Sequence, residues 1–432
     1  MMHIYESFEI ELIKDRLKRK PVADKSVADA ARKIISDIVQ NGDKALFGYT
    51  KEFDDFDLCG SNIRVSRQEI TAAYKKVDLK LLETLKKSAA NIAIFHEMQI
   101  REGFQHRIGG AIAGCMVLPV NRAGVYVPGG KAAYPSSVLM NIIPAKIAGV
   151  SEVVMVTPPG KDGNIAPLTL VAADLAGADK ILRIGGAQAI AALAYGTESV
   201  PKVDVITGPG NAYVAAAKRE VFGEVGIDMI AGPSEVLIIA DENANPRFIA
   251  ADFLSQAEHD EKAASVMLTP SKKLALKTAE EITRQLEQLP RKDIAARSVA
   301  EFGTIVVTKS IDEAFDIVNS FAPEHLEILT DNPWQYIGKV KNSGAVFLGE
   351  YSPEPLGDYF AGPNHVLPTS GTARFSSPLS VDNFIKKTNY VCYDRQRLAA
   401  CYDDIKRFAH AEGLHAHARS VCIRFEDEEE SL

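Results

Sequence analysis

The feature that most constrains the fold is a regular alternation, between residues 110 and 232, of short apolar runs with helical stretches. Glu152–Val156 (EVVMV), 180–184 (KILRI) and 203–206 (VDVI) have strand length and β-branched character, and the segments around 168–176 and 187–195 between them carry a helical period. Parallel neighbours need a long crossover, so strand, helix and strand at this spacing give right-handed βαβ units and a doubly wound sheet. A second α/β region of similar layout starts at Ser234, with strands expected at 235–240 (EVLIIA), 264–268 (ASVML), 303–307 and 344–347 and helices at 245–258 and 274–289.

Ahead of these lie a charged arm over residues 1–22, an amphipathic helix over 26–49 and a helical region from Ser66 to about 101. Ser66 with Glu69 three residues on is a capping-box signature. Residues 112–120 read as a strand, 124–135 (GVYVPGGKAAYP) as a loop and 136–148 as a helix.

A chain of 432 residues has material for two or three domains. Its net charge of −8, with no basic stripe interleaved with aromatics, argues against nucleic acid as a partner. The one basic cluster, 14–20 (KDRLKRK), reads as a solvated helix face. No apolar run approaches the roughly 18 residues of a membrane span, and the first residues lack a secretory h-region. Cys59, Cys115, Cys392, Cys401 and Cys422 are scattered and never paired as CxxC, which suits a reducing compartment. A cytoplasmic protein is expected. The closing acidic run (EDEEE) reads as a solvated end.

Two strand-to-helix turns are glycine-rich, Gly185-Gly186-Ala187-Gln188 and Thr207-Gly208-Pro209-Gly210-Asn211. Glycine there lets a phosphate approach the backbone at a helix N-terminus. Neither turn matches GxGxxG, and the acid expected about 20 residues on is not in the right place, since Asp204 begins its strand instead of ending it, so a dinucleotide site and plain tight turns both stay open.

Residues 356–381 (LGDYFAGPNHVLPTSGTARFSSPLSV) fit neither a helical period nor strand alternation, yet are too apolar for disorder. A long ordered loop of this kind is expected to carry a site, with Asp358 and His365 as its chemical groups. Gln256 and His259 fall three apart at the end of a helix (LSQAEHD) and share a face, a pattern that is more often structural than ligating. In 321–326 (FAPEHL), Pro323 suits the first helical position, which sets Glu324 and His325 in a first turn where the dipole keeps a carboxylate ionised and disfavours imidazolium. Dipole compensation alone also explains Glu324. In EGLHAHA, a helix puts Glu412 beside His415, whereas an extended segment puts His415 beside His417. Taken together, Gln256, His259, Asp358 and His417 make a nitrogen and oxygen donor set compatible with zinc.

The runs FAPEHLEI, GDYFAGPNHVLPTSGTARFSSPLSV, SQAEHD, GPGNAYV and EGLHAHA, in this order and spacing, resemble histidinol dehydrogenases over about residues 25–422. That resemblance implies an α/β fold of two incomplete Rossmann-like parallel-sheet domains, a short N-terminal arm and a mostly helical C-terminal tail. Residues 23–124 with 234–378 form the first domain and bear most of a zinc site, 125–233 the NAD-binding second, and 379–432 a tail exchanged between the subunits of a homodimer. It implies one zinc ion per subunit on Gln256, His259, Asp358 and His417; substrate contacts from Ser234, His325, His365 and Glu412 together with those ligands; and NAD contacts from Tyr126, Gln188 and Asn211. The implied reaction takes L-histidinol through L-histidinaldehyde to L-histidine with two NAD, the last step of histidine biosynthesis. In it His325 is the base for the alcohol and Glu324 activates water for the aldehyde. A related enzyme for another small hydroxy compound, a zinc hydrolase using Glu324 on metal-activated water, and a catalytically silent binding protein are the rival readings.

Overall fold

The computed structural model describes residues 2–9, 11–13, 25–129 and 133–426. The basic cluster at 14–20, Pro21, the loop positions 130–132 and the acidic run from 427 lie outside the described residues. The chain divides into two compact units, Met1–Ile100 with Val120–Phe384, and Arg101–Pro119 with Ile385–Leu432.

The larger unit holds two parallel sheets. The six-stranded sheet runs in the order His3–Glu6, Thr304–Val307, Ala264–Thr269, Glu235–Ala240, His325–Leu329, Ala345–Leu348. The five-stranded one runs Lys180–Leu182, Glu152–Val156, Arg122–Tyr126, Val205–Thr207, Gly226–Ile227. With strands counted along the chain, both sheets follow the Rossmann order three-two-one-four-five, and the first has His3–Glu6 added at its edge. The expected α/β fold is therefore present twice. Arg122–Tyr126 straddles the boundary drawn between residues 124 and 125.

Part of the N-terminal arm is a strand and not a free tail. His3–Glu6 lies parallel to Thr304–Val307, its four residues in register, and covers the backbone edge that strand would otherwise present to water.

Both sheets are covered on both faces because their strands alternate. Val236, Ile238 and Ala240 point into one apolar cluster with Phe253 and Leu254, while Leu237 and Ile239 point into the opposite one with Phe315 and Val318. In the smaller sheet Val125, Val153 and Met155 face Leu139 and Ile142, and Tyr126, Val154 and Val156 face Ile190 and Leu193. The helix Lys25–Asp54 lays Ile34, Ile35, Ile38 and Leu46 on that second face. Each such side chain, fully removed from water, contributes about 1.5–3 kcal/mol. The Ser66–Glu69 capping box is formed, and it opens Arg67–Tyr74, the first of two helices in the 66–101 region; the other is Leu79–Glu97.

The smaller unit is built on an antiparallel sheet of Phe104–Ile108, Ala111–Pro119 and Ile385–Tyr393. The tail is otherwise helical, as Arg395–Ala399, Tyr402–Ala411 and His415–Cys422. This unit has little interior of its own: Phe104, Val391 and Phe408 are 68%, 75% and 70% exposed.

Candidate functional site

The centre of the site is the switch point of the six-stranded sheet, where Glu235–Ala240 and His325–Leu329 lie side by side with His325 opposite Val236. The functional groups stand at the amino ends of these strands. Open α/β sheets ordinarily bind ligands at the carboxyl ends.

The FAPEHL segment is not a helix start, and that expectation is corrected. The helix Ile311–Phe321 ends there, Ala322 takes the left-handed conformation at φ 54° that closes helices, and Pro323 follows as a stop. Glu324 then leads into the strand that His325 opens. Proline fits one residue past a helix end as well as one residue into a start, which is why sequence misplaced it. Burial, not a helix dipole, sets the acidity of both groups. It raises the Glu324 carboxyl well above its ordinary range, although the Glu235 N–H donates to it. It lowers His325 to about 4 against the opposing pull of Asp358, so the ring is neutral near pH 7.

One residue missed by sequence reasoning orients both. The Glu235 N–H donates to Glu324 Oε2 at 2.8 Å, and the Glu235 carbonyl lies 2.9 Å from His325 Nδ1. A carbonyl accepts only, so His325 carries its proton on Nδ1 and keeps Nε2 as a bare base. The Glu235 side chain accepts from Ser370 N–H at 3.2 Å and so ties down the 356–381 loop.

That segment is ordered as expected, but its first residues are helical, in the short helix Glu354–Tyr359. Asp358 Oδ1 lies 3.3 Å from His365 Nδ1. Burial pushes the Asp358 carboxyl up, but the hydrogen bond from His365 and the nearby His325 and His259 rings outweigh this and hold it at about 2. Glu354, also missed, puts Oε1 3.7 Å from His325 Nε2. His325, Glu354 and Asp358 each present a ligand atom within 4.8 Å of the others, the one such cluster among the described residues. Glu354 N–H donates to Glu327 Oε1 at 2.9 Å, and Glu327 stands two residues beyond His325 on the same face of its strand. Burial drives Glu354 up to about 9, raises Glu327 well above the carboxylate range, and lifts Asp252, which sits on the helix Pro246–Ala257 hydrogen-bonded to Glu327, to about 6. The legible signal for Glu327 was a glutamate inside an apolar strand run, EHLEIL, where a buried acid has few structural uses.

Gln256 is the second-to-last residue of the helix Pro246–Ala257, and His259 lies just past its end, in a turn closed by His259 N–H to the Gln256 carbonyl at 3.2 Å. Gln256 is wholly buried and neither its Oε1 nor its Nε2 has a hydrogen-bond partner. Two orphaned polar atoms on one buried side chain are unusual, and the carbonyl oxygen Oε1 is the one of the two that can ligate a cation. Gln256, Asp358 and the exposed His259 offer nitrogen and oxygen donors of the types zinc accepts; Asp358 belongs to the cluster with His325 and Glu354, and His259 does not. Ser234 immediately precedes the Glu235 strand, and its carbonyl accepts from Ala264 N–H.

In the smaller unit Glu412 caps the helix Tyr402–Ala411, and Gly413 at φ 74° breaks the chain before His417 in the next helix. Neither pairing weighed for EGLHAHA occurs, because the glycine separates Glu412 from the second helix and His415 and His417 are two apart on a helical turn. Glu412 and His417 are exposed.

The five-stranded sheet has its own switch point between Arg122–Tyr126 and Val205–Thr207. Here the groups do gather at the carboxyl ends. Gly186 N–H donates to the Tyr126 hydroxyl at 3.2 Å, buried Gln188 leaves Oε1 without a partner, and Asn211 Oδ1 caps the next helix through Tyr213 and Val214 N–H. Gly186 has φ 64°, and a Cβ on it meets Gln188 Oε1 at 2.5 Å, so the turn keeps room at a helix N-terminus. Such a cradle fits a dinucleotide.

Residues 17–425 match the family model described as histidinol dehydrogenase. Curated histidinol dehydrogenases are similar throughout: that of Halalkalibacterium halodurans is 54% identical over 93% of this chain and 94% of its own, and that of a Bacillus cereus strain 53% identical over 98% and 99%. The crystal structure of histidinol dehydrogenase from Elizabethkingia anophelis superposes with a TM-score of 0.93 at 40% identity, covering 98% of both chains. With this fold and this match along almost its whole length, the chain belongs to the histidinol dehydrogenase family and is an oxidoreductase.

Proposed function

We propose that the protein oxidises L-histidinol to L-histidine through L-histidinaldehyde, the last step of histidine biosynthesis, using two NAD in turn and one zinc ion per subunit. The observation that carries this reading is the neutral His325 with Nδ1 pinned to the Glu235 carbonyl and Nε2 bare beside Glu354 and Asp358. Removing two hydrogens from a carbinol needs a base for the hydroxyl proton as hydride leaves carbon. His325 Nε2 is that base. NAD, when bound by Tyr126, Gln188 and Asn211, supplies the hydride acceptor.

An aldehyde has no hydroxyl proton to lose, so it must be hydrated before the second oxidation. Glu324 takes a proton from that water in its ionised form, whose affinity for the proton burial raises. Zinc, when held by Gln256, His259, Asp358 and His417, supplies an anchor for the substrate's imidazole and amine. Ser234, His365 and Glu412 complete the grip on the substrate.

His417 and Glu412 sit in the small unit, several of whose large apolar residues, among them Phe104, Val391 and Phe408, are left exposed. This supports a homodimer in which the tail completes the neighbouring subunit's site. Among the described residues no helix is long and apolar enough to cross a membrane, and we take the cytoplasm as the place of action.

Supplying histidinol and NAD to the zinc-loaded protein is the test, with an aliphatic amino alcohol and imidazole methanol as controls. NADH forms with histidinol far faster than with either. Equal rates point to a relative acting on another hydroxy compound, and no NADH from any alcohol revives the zinc hydrolase.

A further inference from the structure

A buried ion pair underlies the glycine-rich turn of the five-stranded sheet, and the proposed reaction gives it no role. Lys218 Nζ and Asp228 Oδ1 are in contact, with their side chains 4% and 1% exposed. Lys218 belongs to the helix Ala212–Val221 that follows the turn, and Asp228 comes just after the edge strand Gly226–Ile227. Both reach the same residue. Asp228 Oδ2 accepts from Gly208 N–H at 2.8 Å, and Lys218 Nζ donates to the Gly208 carbonyl at 3.0 Å. Asp228 Oδ1 also accepts from Met229 N–H at 2.6 Å.

Gly208 is the residue on which the turn depends. Its φ is 109°, and a Cβ there falls 2.0 Å from the Tyr126 carbonyl, so the two strand ends at the switch point meet backbone to backbone. The following residue is proline, which has no N–H with which to fix the peptide from the other side. An ion pair taken out of water is rarely the most stable filling for a core, and apolar side chains of the same size often do as well. What this pair adds is direction: one cation and one anion hold the two peptide groups flanking Gly208 in a single orientation.

We infer that Lys218 and Asp228 are positioning residues for the cofactor, holding the Thr207–Asn211 turn in the conformation that accepts NAD. The inference rests on the assignment of NAD to this sheet. Lys218 and Asp228 touch no cofactor themselves. They act through Gly208, so their loss lowers the fraction of molecules with a competent turn, and the apparent Kd rises in inverse proportion to that fraction.

Calorimetric titration of NAD into the zinc-loaded protein tests this, alongside a histidinol titration. Lys218→Met leaves Asp228 buried and unpaired, so the double variant Lys218→Met/Asp228→Asn, which removes both charges, is measured with it. A turn populated about one-tenth of the time raises the NAD Kd about tenfold. Histidinol affinity stays within about twofold, a split that general loss of structure does not produce. A folded variant with unchanged NAD affinity overturns the inference and leaves the cofactor assignment standing, whereas a wild-type protein that binds no NAD removes both. Amide exchange in the unaltered protein gives an answer that needs no variant. The Gly208 N–H exchanges as slowly as those of Val205–Thr207 before NAD is added, and rapid exchange that slows only with NAD means the turn is not held in advance.

Discussion

Replacing Gln256 by Met should change the protein in opposite directions depending on whether zinc is present. Without metal, the buried amide has neither atom satisfied. Leaving a buried polar group unpaired costs about 1–3 kcal/mol. Methionine has similar length and no such groups, so the metal-free variant should gain about 2–4 kcal/mol. For a chain of this length 1 kcal/mol moves Tm by about 1 °C, giving a rise of about 2–4 °C in chelator. Zinc at 100 times the wild-type Kd adds about 2.7 kcal/mol to the wild type and, because methionine is a poor zinc ligand, much less to the variant, so the gap closes or reverses. Thermal unfolding with chelator and with zinc reads both. A variant less stable than wild type in chelator would refute the argument, because Gln256 must then be satisfied by the protein itself.

Glu324→Gln removes the proposed water-activating base but not His325, so aldehyde oxidation should fall by about 10²–10⁴ and alcohol oxidation by less; equal loss in separate half-reaction assays ends that division of labour. Mixing His417→Ala with Asp358→Ala subunits should restore part of the activity if sites are shared, and no recovery in proven heterodimers means that each subunit is self-contained. Asp54 is half-buried with an unpartnered Oδ2, and burial lifts its carboxyl to about 6. As a raised acid it costs stability once pH exceeds its unfolded value, and the cost is complete above about 6. Discounted for its partial exposure, this is about 1–2 kcal/mol. Asp54→Asn should therefore raise Tm by about 1–2 °C at pH 8 and leave it unchanged at pH 4, and a gain of equal size at both pH values would contradict it.

Much of this was legible in the sequence because it depends on local pattern. EVLIIA and EVVMV announce buried parallel strands, and the Ser66–Glu69 spacing announces a cap that is formed. The loop with Asp358 and His365 was found by its refusal of any period. What stayed hidden depends on long-range pairing. Glu235 opens a run expected as a plain strand, and only the pairing of Glu235–Ala240 with His325–Leu329 brings its backbone to Glu324 and His325. Pro323 misled because the same residue marks both ends of helices. The edge strand His3–Glu6 is too short to show alternation, and its partner lies three hundred residues away.

The most direct test of the central claim is the yield of NADH per histidinol consumed, taken to completion with excess NAD. Two equivalents, with histidine as the product, are expected of a site with one base for the alcohol and another for the water that hydrates the aldehyde. One equivalent, with aldehyde left in solution, contradicts it.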